Sequence, residues 1–562
     1  MVEKSVKLPK EFEILKHEIE KLKHKNMKLK ATKKYGLVWE TEKDPEQVVA
    51  DCQTKLPILK VAPHMIINDN SMHANILIEG DNYHALSVLN YTHKEKIDVI
   101  YIDPPYNTGN EDFKYNDKFV DKEDAYRHSK WLTFMYPRLN IAKSLLKNDG
   151  AVFISIGEQE VHNLRHICDE IFEDNFLGQF IRQGVRGGTR AQSIIATNHD
   201  YVLVYTKSNE AANLIGKKVD SLALDLEDKR GKYRKGRELN KWGAGSRRED
   251  AEGMYFPVSG PDGKEVYPIR NDGSEGRWRW GKKKMFKAVE NDDLIFEKRS
   301  GGTYIVYEKV RVAGEREIAH PSLLIDPKFS NATGTEELKA IFGGKSPFSY
   351  PKPTSLVKYL IGMVDKNALV LDFFAGSGTT GHATLELNNE DGGNRRFILC
   401  TNNENDICTK VCYPRLEKVI KGYTDFDGSK IDGLGGNLRY FKTAFIDVDH
   451  VTSVSDEQRI KLTYQTGEMI ALKEDTFEEV EKNDWWQIFT NGKKYTAIYF
   501  KEDKTKLYYL VEKLSKHKEK IALYIFSWGK NEYKNEFAEY KNIKVLDIPE
   551  PIIEVYKGIN SL

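Results

Sequence analysis

Two short runs, Ile97–Ile102 (IDVIYI) and Ala368–Phe373 (ALVLDF), are apolar at nearly every position. A strand with one face in water alternates apolar and polar residues. A run without alternation fits a strand covered on both sides, as in a parallel sheet sandwiched by helices. The surrounding texture agrees. Asn75–Glu79, Ala151–Ile156 and Phe397–Thr401 read as further short strands, and Tyr83–Asn90, Lys130–Lys147 and Glu158–Phe172 as helices, with the same texture resuming at Thr354–Val364. Strands alternating with helices predict an α/β fold with a doubly wound parallel sheet. Ligands bind such sheets at the carboxyl ends of the strands, so the turns that follow the two apolar runs are the candidate site.

The first turn is Asp103-Pro104-Pro105-Tyr106. Two prolines stiffen the backbone and remove two N–H donors, which leaves carbonyls facing the crevice. Asp103 adds a carboxylate acceptor and Tyr106 a flat aromatic face, a set suited to a planar ligand bearing an exocyclic amine. The second turn, Asp372-Phe373-Phe374-Ala375-Gly376-Ser377-Gly378-Thr379-Thr380, combines glycines that permit a tight strand-to-helix turn with hydroxyls near a helix N-terminus. It lacks the Gly-Lys-Ser/Thr of a phosphate-binding Walker loop and the third glycine of a dinucleotide fingerprint.

Together the two turns resemble the paired DPPY and FxGxG motifs of amino-group DNA methyltransferases, in the permuted order of the β class. Further stretches are similar to type III restriction-modification modification (Mod) subunits: Lys34–Glu40 (KYGLVWE), Ile78–Asn82 (IEGDN), Ile102–Gly109 (IDPPYNTG), Trp131–Leu139 (WLTFMYPRL), Gly150–Glu160 (GAVFISIGEQE), Tyr350–Leu356 (YPKPTSL) and Gly435–Phe445 (GGNLRYFKTAF). The resemblance spans about residues 34–445. It implies a Rossmann-like sheet binding S-adenosylmethionine (AdoMet) and methylation of adenine N6 in double-stranded DNA. It also implies a homodimer and a Res translocase-nuclease partner. Asp103 and the Pro104 carbonyl would accept from the amine, Tyr106 would stack on the flipped base, and Pro105 completes the motif. The implied cofactor residues are Asp81, near the cofactor adenine; Asp372, Phe374, Ala375, Gly376, Ser377, Gly378, Thr379 and Thr380; and Lys352 with Pro353 at the methionine end. The family's usual ribose-holding acid aligns with Thr401, and Glu404 is the candidate substitute. Nothing in the residues points to a metal. A stand-alone adenine methyltransferase or a catalytically silent DNA-specificity subunit are the alternatives, and aspartate at 103 disfavours cytosine N4 as the acceptor.

Charge decides where DNA would be held. Lys plus Arg number 86 and Asp plus Glu 85, so no global attraction to nucleic acid exists. The bases are clustered instead. Lys229–Arg248 holds nine Lys/Arg against one Glu, and Arg277–Lys287 holds six and no acid, interleaved with Trp278, Trp280 and Phe286. Lys229, Arg230, Lys232, Arg234, Arg247, Arg248, Arg277, Arg279, Lys282 and Lys283 are the candidate phosphate contacts, with the aromatics as stacking or wedge residues.

The resulting plan has a helical extension over 1–40 and a first methyltransferase segment over 41–183. A target-recognition domain follows over 184–335, then a second methyltransferase segment over 336–445 and a C-terminal α/β domain over 446–562 for docking or spacing. Residues 8–29 carry a heptad (Leu8, Phe12, Leu15, Ile19, Leu22, Asn26, Leu29) that suits either a short two-stranded coil or one amphipathic helix packed on its own chain. No run approaches the ~18 apolar residues of a membrane span, and no secretory signal opens the chain. Five scattered cysteines fit free buried thiols in a reducing cytoplasm better than a zinc site.

Overall fold

A computed structural model describes Trp39 and residues 46–67, 74–185, 195–210, 212–219, 224–311, 316–529, 532–533 and 535–560. The heptad over 8–29 and most of the 34–40 stretch lie outside these residues. Two compact units result, one formed by residues 1–215 with 321–562 and the other by Gly216–His320.

The larger unit is built on a ten-stranded sheet. Its strands are β1 (Lys55–Val61), β2 (Asn75–Glu79), β3 (Ile97–Ile102), β4 (Leu146–Ile156), β5 (Phe176–Gln183), β6 (His199–Thr206), β7 (Leu323–Leu324), β8 (Leu369–Asp372), β9 (Arg396–Thr401) and β10 (Leu438–Asp447). They lie in the order β1-β10-β2-β9-β8-β3-β4-β6-β5-β7. The six strands from β10 to β4 run parallel, while β1, β6 and β5 are joined by antiparallel pairing.

The expected burial on both faces is present, and alternate side chains of one strand serve two cores. From β3, Ile100 and Ile102 face one side with α1 (Asn82–Thr92), α2 (Arg127–Leu145) and α3 (Val161–Phe172). Val99 and Tyr101 face the other, with α5 (Thr354–Ile361), α6 (Thr379–Asp391) and α7 (Tyr413–Lys421). Helix α4 (Asn331–Ile341) joins this second layer through Ile341. After β3 the chain crosses to β4 on one side; after β8 it crosses to β9 on the other. The strand order therefore reverses between β3 and β8, which opens a crevice at their carboxyl ends.

The smaller unit holds a four-stranded antiparallel sheet ordered Leu226–Asp228, Gly231–Glu238, Tyr304–Val310, Leu294–Lys298. A helix, Lys282–Glu290, packs Met285 and Ala288 into its core beside Leu239, Phe256 and Val306. It is narrower than the recognition domain expected over 184–335. The reason is sheet pairing: β6 completes its edge against β4 residue for residue, Ala151 opposite Thr206 to Ile156 opposite Tyr201, and β7 pairs with β5.

Residues 446–562 lie within the larger unit. Their five strands, Glu478–Lys482, Trp486–Thr490, Lys494–Tyr499, Lys520–Phe526 and Ile543–Ile548, form one sheet with a core of its own on one face. The other face continues the main core. Phe489, Ile498 and Tyr524 join Met469 and Ile470 of Gly467–Glu474, and Ile552 and Ile553 of Glu550–Ile559, against Leu86 and Leu89 of α1. The Tyr556 hydroxyl donates to the carbonyl of Pro57 in β1. All five cysteines are free and buried. Among the described residues no helix is long and apolar enough to cross a membrane.

Because this core is shared, Ile552→Ala, at a fully buried position, should lower stability by about 2–5 kcal/mol. It should shift the same unfolding transition as Leu86→Ala. Denaturant titrations read by tryptophan emission check this, and a separate early transition confined to the Ile552 variant would show an independent C-terminal domain.

Candidate active site

Strand β3 ends at Asp103, and three contacts hold the turn after it. The Trp131 indole Nε1 donates to the Pro105 carbonyl at 2.8 Å. Asn107, fully buried with φ +58°, turns the chain away and donates through Nδ2 to Glu160 Oε1 at 2.5 Å and to the Arg127 carbonyl at 3.2 Å. Pro104 is buried beneath. The Tyr106 ring lies against the end of β4, where a Cβ on Gly157 would come within 2.7 Å of its Cδ2. Its hydroxyl donates to Asp200 Oδ2 at 3.0 Å. Asp200 in turn is gripped by both arms of Arg182, with Nε to Oδ1 at 2.7 Å. The same guanidinium donates to the Phe329 carbonyl and to Asn331 Oδ1, each at 2.9 Å. The tyrosine ring is thus held at its edge and at its tip.

Strand β8 ends at Asp372, which organises the glycine-rich turn. Its Oδ1 accepts from the Phe374 amide at 2.9 Å and its Oδ2 from the Thr380 hydroxyl at 2.5 Å. Gly376 and Gly378 take φ +50° and +80°, and a Cβ on Gly378 would meet Cys412 Sγ at 3.0 Å. The hydroxyls of this turn are held from behind. Arg415, fully buried, donates to Ser377 Oγ at 3.2 Å and Thr379 Oγ1 at 2.9 Å. Ala375 bonds through its amide to the Cys400 carbonyl of β9 at 3.1 Å. Burial pushes the Asp372 carboxyl up to about 7, with the Asp103 charge adding to the effect.

Both turns open on one cavity of about 610 Å³, within the range of small-molecule sites. Asp103, Pro105, Phe374 and Gly376 line it. So do Asp81 and Asn82 after β2, and Thr401 and Glu404 after β9. Phe113, Phe134 and Phe374 supply aromatic surface, the last two with ring centroids 5.9 Å apart. Asp81 caps α1 by accepting from the Tyr83 amide at 2.7 Å, and Glu404 pairs with Lys114. Pro104, Tyr106, Asp372, Ala375, Ser377, Gly378, Thr379, Thr380, Lys352 and Pro353 are not among the residues that line the cavity. The Lys352 ammonium is 2.7 and 2.6 Å from the two Asp103 oxygens.

Sequence reasoning missed the buried charges behind the cavity. Arg138 donates to Glu46 Oε2 and Oε1 at 2.8 and 2.7 Å and to Asn82 Oδ1 at 2.5 Å, while Asn82 Nδ2 donates to the Phe373 carbonyl at 3.0 Å. Asn82 and Arg138 fall inside stretches that carry the resemblance. Their residue types alone do not announce a partner far along the chain.

In the smaller unit, Lys229, Lys232, Arg247, Lys282 and Lys283 are exposed. Arg230 is bonded to Asp293 at 2.9 Å and Arg248 to Glu275 at 2.8 Å. Arg277 donates to the Gly245 carbonyl at 2.6 Å, and Arg234 and Arg279 each bury an Nε without a hydrogen-bond partner. Trp278 is not a wedge: it is fully buried, and its Nε1 donates to the Phe256 carbonyl at 2.8 Å. Trp280 is half-buried and Phe286 exposed, and Trp242, not anticipated, is 66% exposed.

A family model described as DNA methylase (the N6 and N4 type) matches residues 97–410, which include both turns. The chain belongs to the DNA methylase family. It is 33% identical over 425 residues to the type III restriction-modification enzyme EcoPI Mod subunit of Escherichia phage P1, covering 67% of this chain and 65% of that protein. It is 35% identical to the type II methyltransferase M.KpnI of Klebsiella pneumoniae, covering 66% of this chain and 89% of that one. Among solved structures, the M1.HpyAVI–SAM complex is 14% identical with a TM-score of 0.29, covering 61% of this chain and 98% of that one.

In this DNA methylase, the high Asp372 value has a stability consequence. Between the ordinary carboxylate range near 4 and about 7, the folded protein holds a proton that the unfolded chain releases. Stability should therefore fall as pH rises through that window, by up to ~1.4 kcal/mol per unit, and level off above it. Asp372→Asn should remove that contribution. Denaturant unfolding of both proteins between pH 5 and 8 checks this; parallel profiles would place the carboxyl at its ordinary value.

Proposed function

We propose that the chain is the modification subunit of a type III restriction-modification system, transferring a methyl group from AdoMet to N6 of an adenine turned out of the DNA duplex. The observation that carries this reading is the convergence of the Asp103 and Gly376 turns, remote in sequence, on one cavity. The cavity suits the cofactor: aromatic faces and Asp81 for an adenine, the acid Glu404 for the ribose hydroxyls, and a glycine at the approach. When bound, the cofactor supplies a sulfonium methyl donor, so the reaction needs no covalent enzyme intermediate.

The chain's own residues do the rest. Asp103 and the Pro104 carbonyl accept the amine's N–H groups and favour its pyramidal, nucleophilic form as positive charge develops. Tyr106 stacks on the base, with its plane set by Asp200 and Gly157. Most of the acceleration is then positioning and electrostatics. The basic face of the smaller unit supplies phosphate contacts. A homodimer and a Res translocase-nuclease partner belong to the same proposal, as the resemblance of the motifs to type III Mod subunits implies. The likeness to M.KpnI favours a second reading, a methyltransferase that acts alone; addition of a Res subunit and ATP to the purified protein separates the two by DNA cleavage.

Long-read sequencing of DNA incubated with protein and AdoMet should reveal N6-methyladenine at one short sequence. Asp103→Ala should abolish that signal yet keep cofactor binding in equilibrium dialysis, whereas Gly376→Val should lose the binding. Retained turnover in Asp103→Ala overturns the mechanism. Changing Lys229, Lys232, Lys282 and Lys283 together to Gln should weaken cognate and unrelated duplexes alike. It should also flatten the salt dependence, by at most ~0.9 per lost phosphate contact; an unchanged slope in binding titrations would make these lysines a solvated face.

A further inference from the structure

Within the reading just given, one contact in the site is out of keeping with an open pocket. The acceptor that should receive the target amine is already occupied. Lys352 Nζ sits 2.7 Å from Asp103 Oδ1 and 2.6 Å from Oδ2, and 4.8 Å from the centroid of the Tyr106 ring. It makes both contacts expected of the incoming group, hydrogen bonding to the carboxylate and packing on the aromatic face. The side chain is 10% exposed, less than the 25% of Asp103 itself.

We propose that Lys352 is a resident surrogate for the target amine, and that a base seats on Tyr106 only as this lysine swings off Asp103. The swing is local. The Lys352 carbonyl accepts from Thr379 Oγ1 at 3.2 Å, which anchors the backbone to the start of α6, while the four-carbon stem can rotate and its compact ammonium can be hydrated outside. The exchange also confers selectivity. An amine-bearing base returns N–H donors to the carboxylate, whereas a base presenting a carbonyl there leaves Asp103 unpaired. Apparent affinity for the flipped base is accordingly reduced by the fraction of protein in which the lysine holds the position.

The test rests on the methylation reading and is arranged to fail separately from it. Once sequencing has located the adenine that the wild-type protein methylates, that base is replaced by 2-aminopurine in a synthetic duplex. Emission is then recorded with full-length protein and no cofactor. Lys352→Met leaves the carboxylate open, so emission should rise several-fold over the wild-type complex at equal DNA saturation. Lys352→Gln, which keeps a donor without the charge, should fall between the two, and it carries the measurement if Lys352→Met does not fold. Equal or lower emission in the folded variant overturns the proposal and leaves Lys352 a structural ion pair. A wild-type protein that methylates no DNA refutes the reading beneath it instead.

Discussion

Val370 pairs with Val99 and Leu371 with Ile100, and on this short stretch of parallel ladder the whole site depends. It sets the end of β8 beside the end of β3, so that Asp372 and Asp103 emerge as neighbours from segments far apart in the chain. Parallel pairing requires a crossover for each strand, and here the crossovers leave in opposite directions. No helix therefore covers the space between the two strand ends. The apolar side chains of both strands secure this ladder from two cores at once. Each fully buried aliphatic side chain contributes about 1.5–3 kcal/mol, so the register is stabilised far more by burial than by its few hydrogen bonds.

Loops at the mouth of a crevice lack that burial, and charge takes its place. Three arginines are among the largest fully buried side chains, Arg138, Arg182 and Arg415, and each fastens a different loop. Arg138 ties Asn82, and through it the Phe373 carbonyl, to Glu46. Arg182 fixes Asp200 and hence the tip of Tyr106. Arg415 braces Ser377 and Thr379. A planar guanidinium with five donors can satisfy several carbonyls and carboxylates in one plane, which a lysine cannot. Removing one member of such a pair strands a buried charge at a cost of about 3–5 kcal/mol, so these clamps give rigidity where packing is thin.

This division explains what could be read from the chain alone. Ile97–Ile102 was legible to the residue, because burial on both faces leaves an unbroken apolar run. The turns after it and after β8 were legible because proline and glycine mark backbone geometry directly. The clamps were not. Glu46, Arg138, Arg182, Asp200 and Arg415 look like ordinary surface charges until the sheet brings them together, and pairings such as Glu46 with Arg138 carry no local periodicity. Trp278 was misplaced for the same reason: a tryptophan among six cations reads as exposed, yet it fills the core of the smaller unit. Strands β5 and β6 were less legible because they lie at the sheet's antiparallel edge, where the buried parallel texture that marked the other strands ends.

The charge balance has its own logic. A chain with 86 basic and 85 acidic residues exerts little long-range pull on a polyanion. Within the smaller unit the bases are also not all available, since Arg230 and Arg248 are engaged by Asp293 and Glu275. What remains exposed includes Lys229, Lys232, Lys282, Lys283, Lys284 and Lys287, with Arg237 and Arg247. Lysine holds phosphate as a point charge, without the bidentate geometry that reads a guanine edge. In the proposed reading, the lysines of this surface hold DNA without favouring sequence, leaving discrimination to the exposed arginines, the aromatic groups and the amine pocket at Asp103. There, a carboxylate that already binds an ammonium rejects any base unable to replace it.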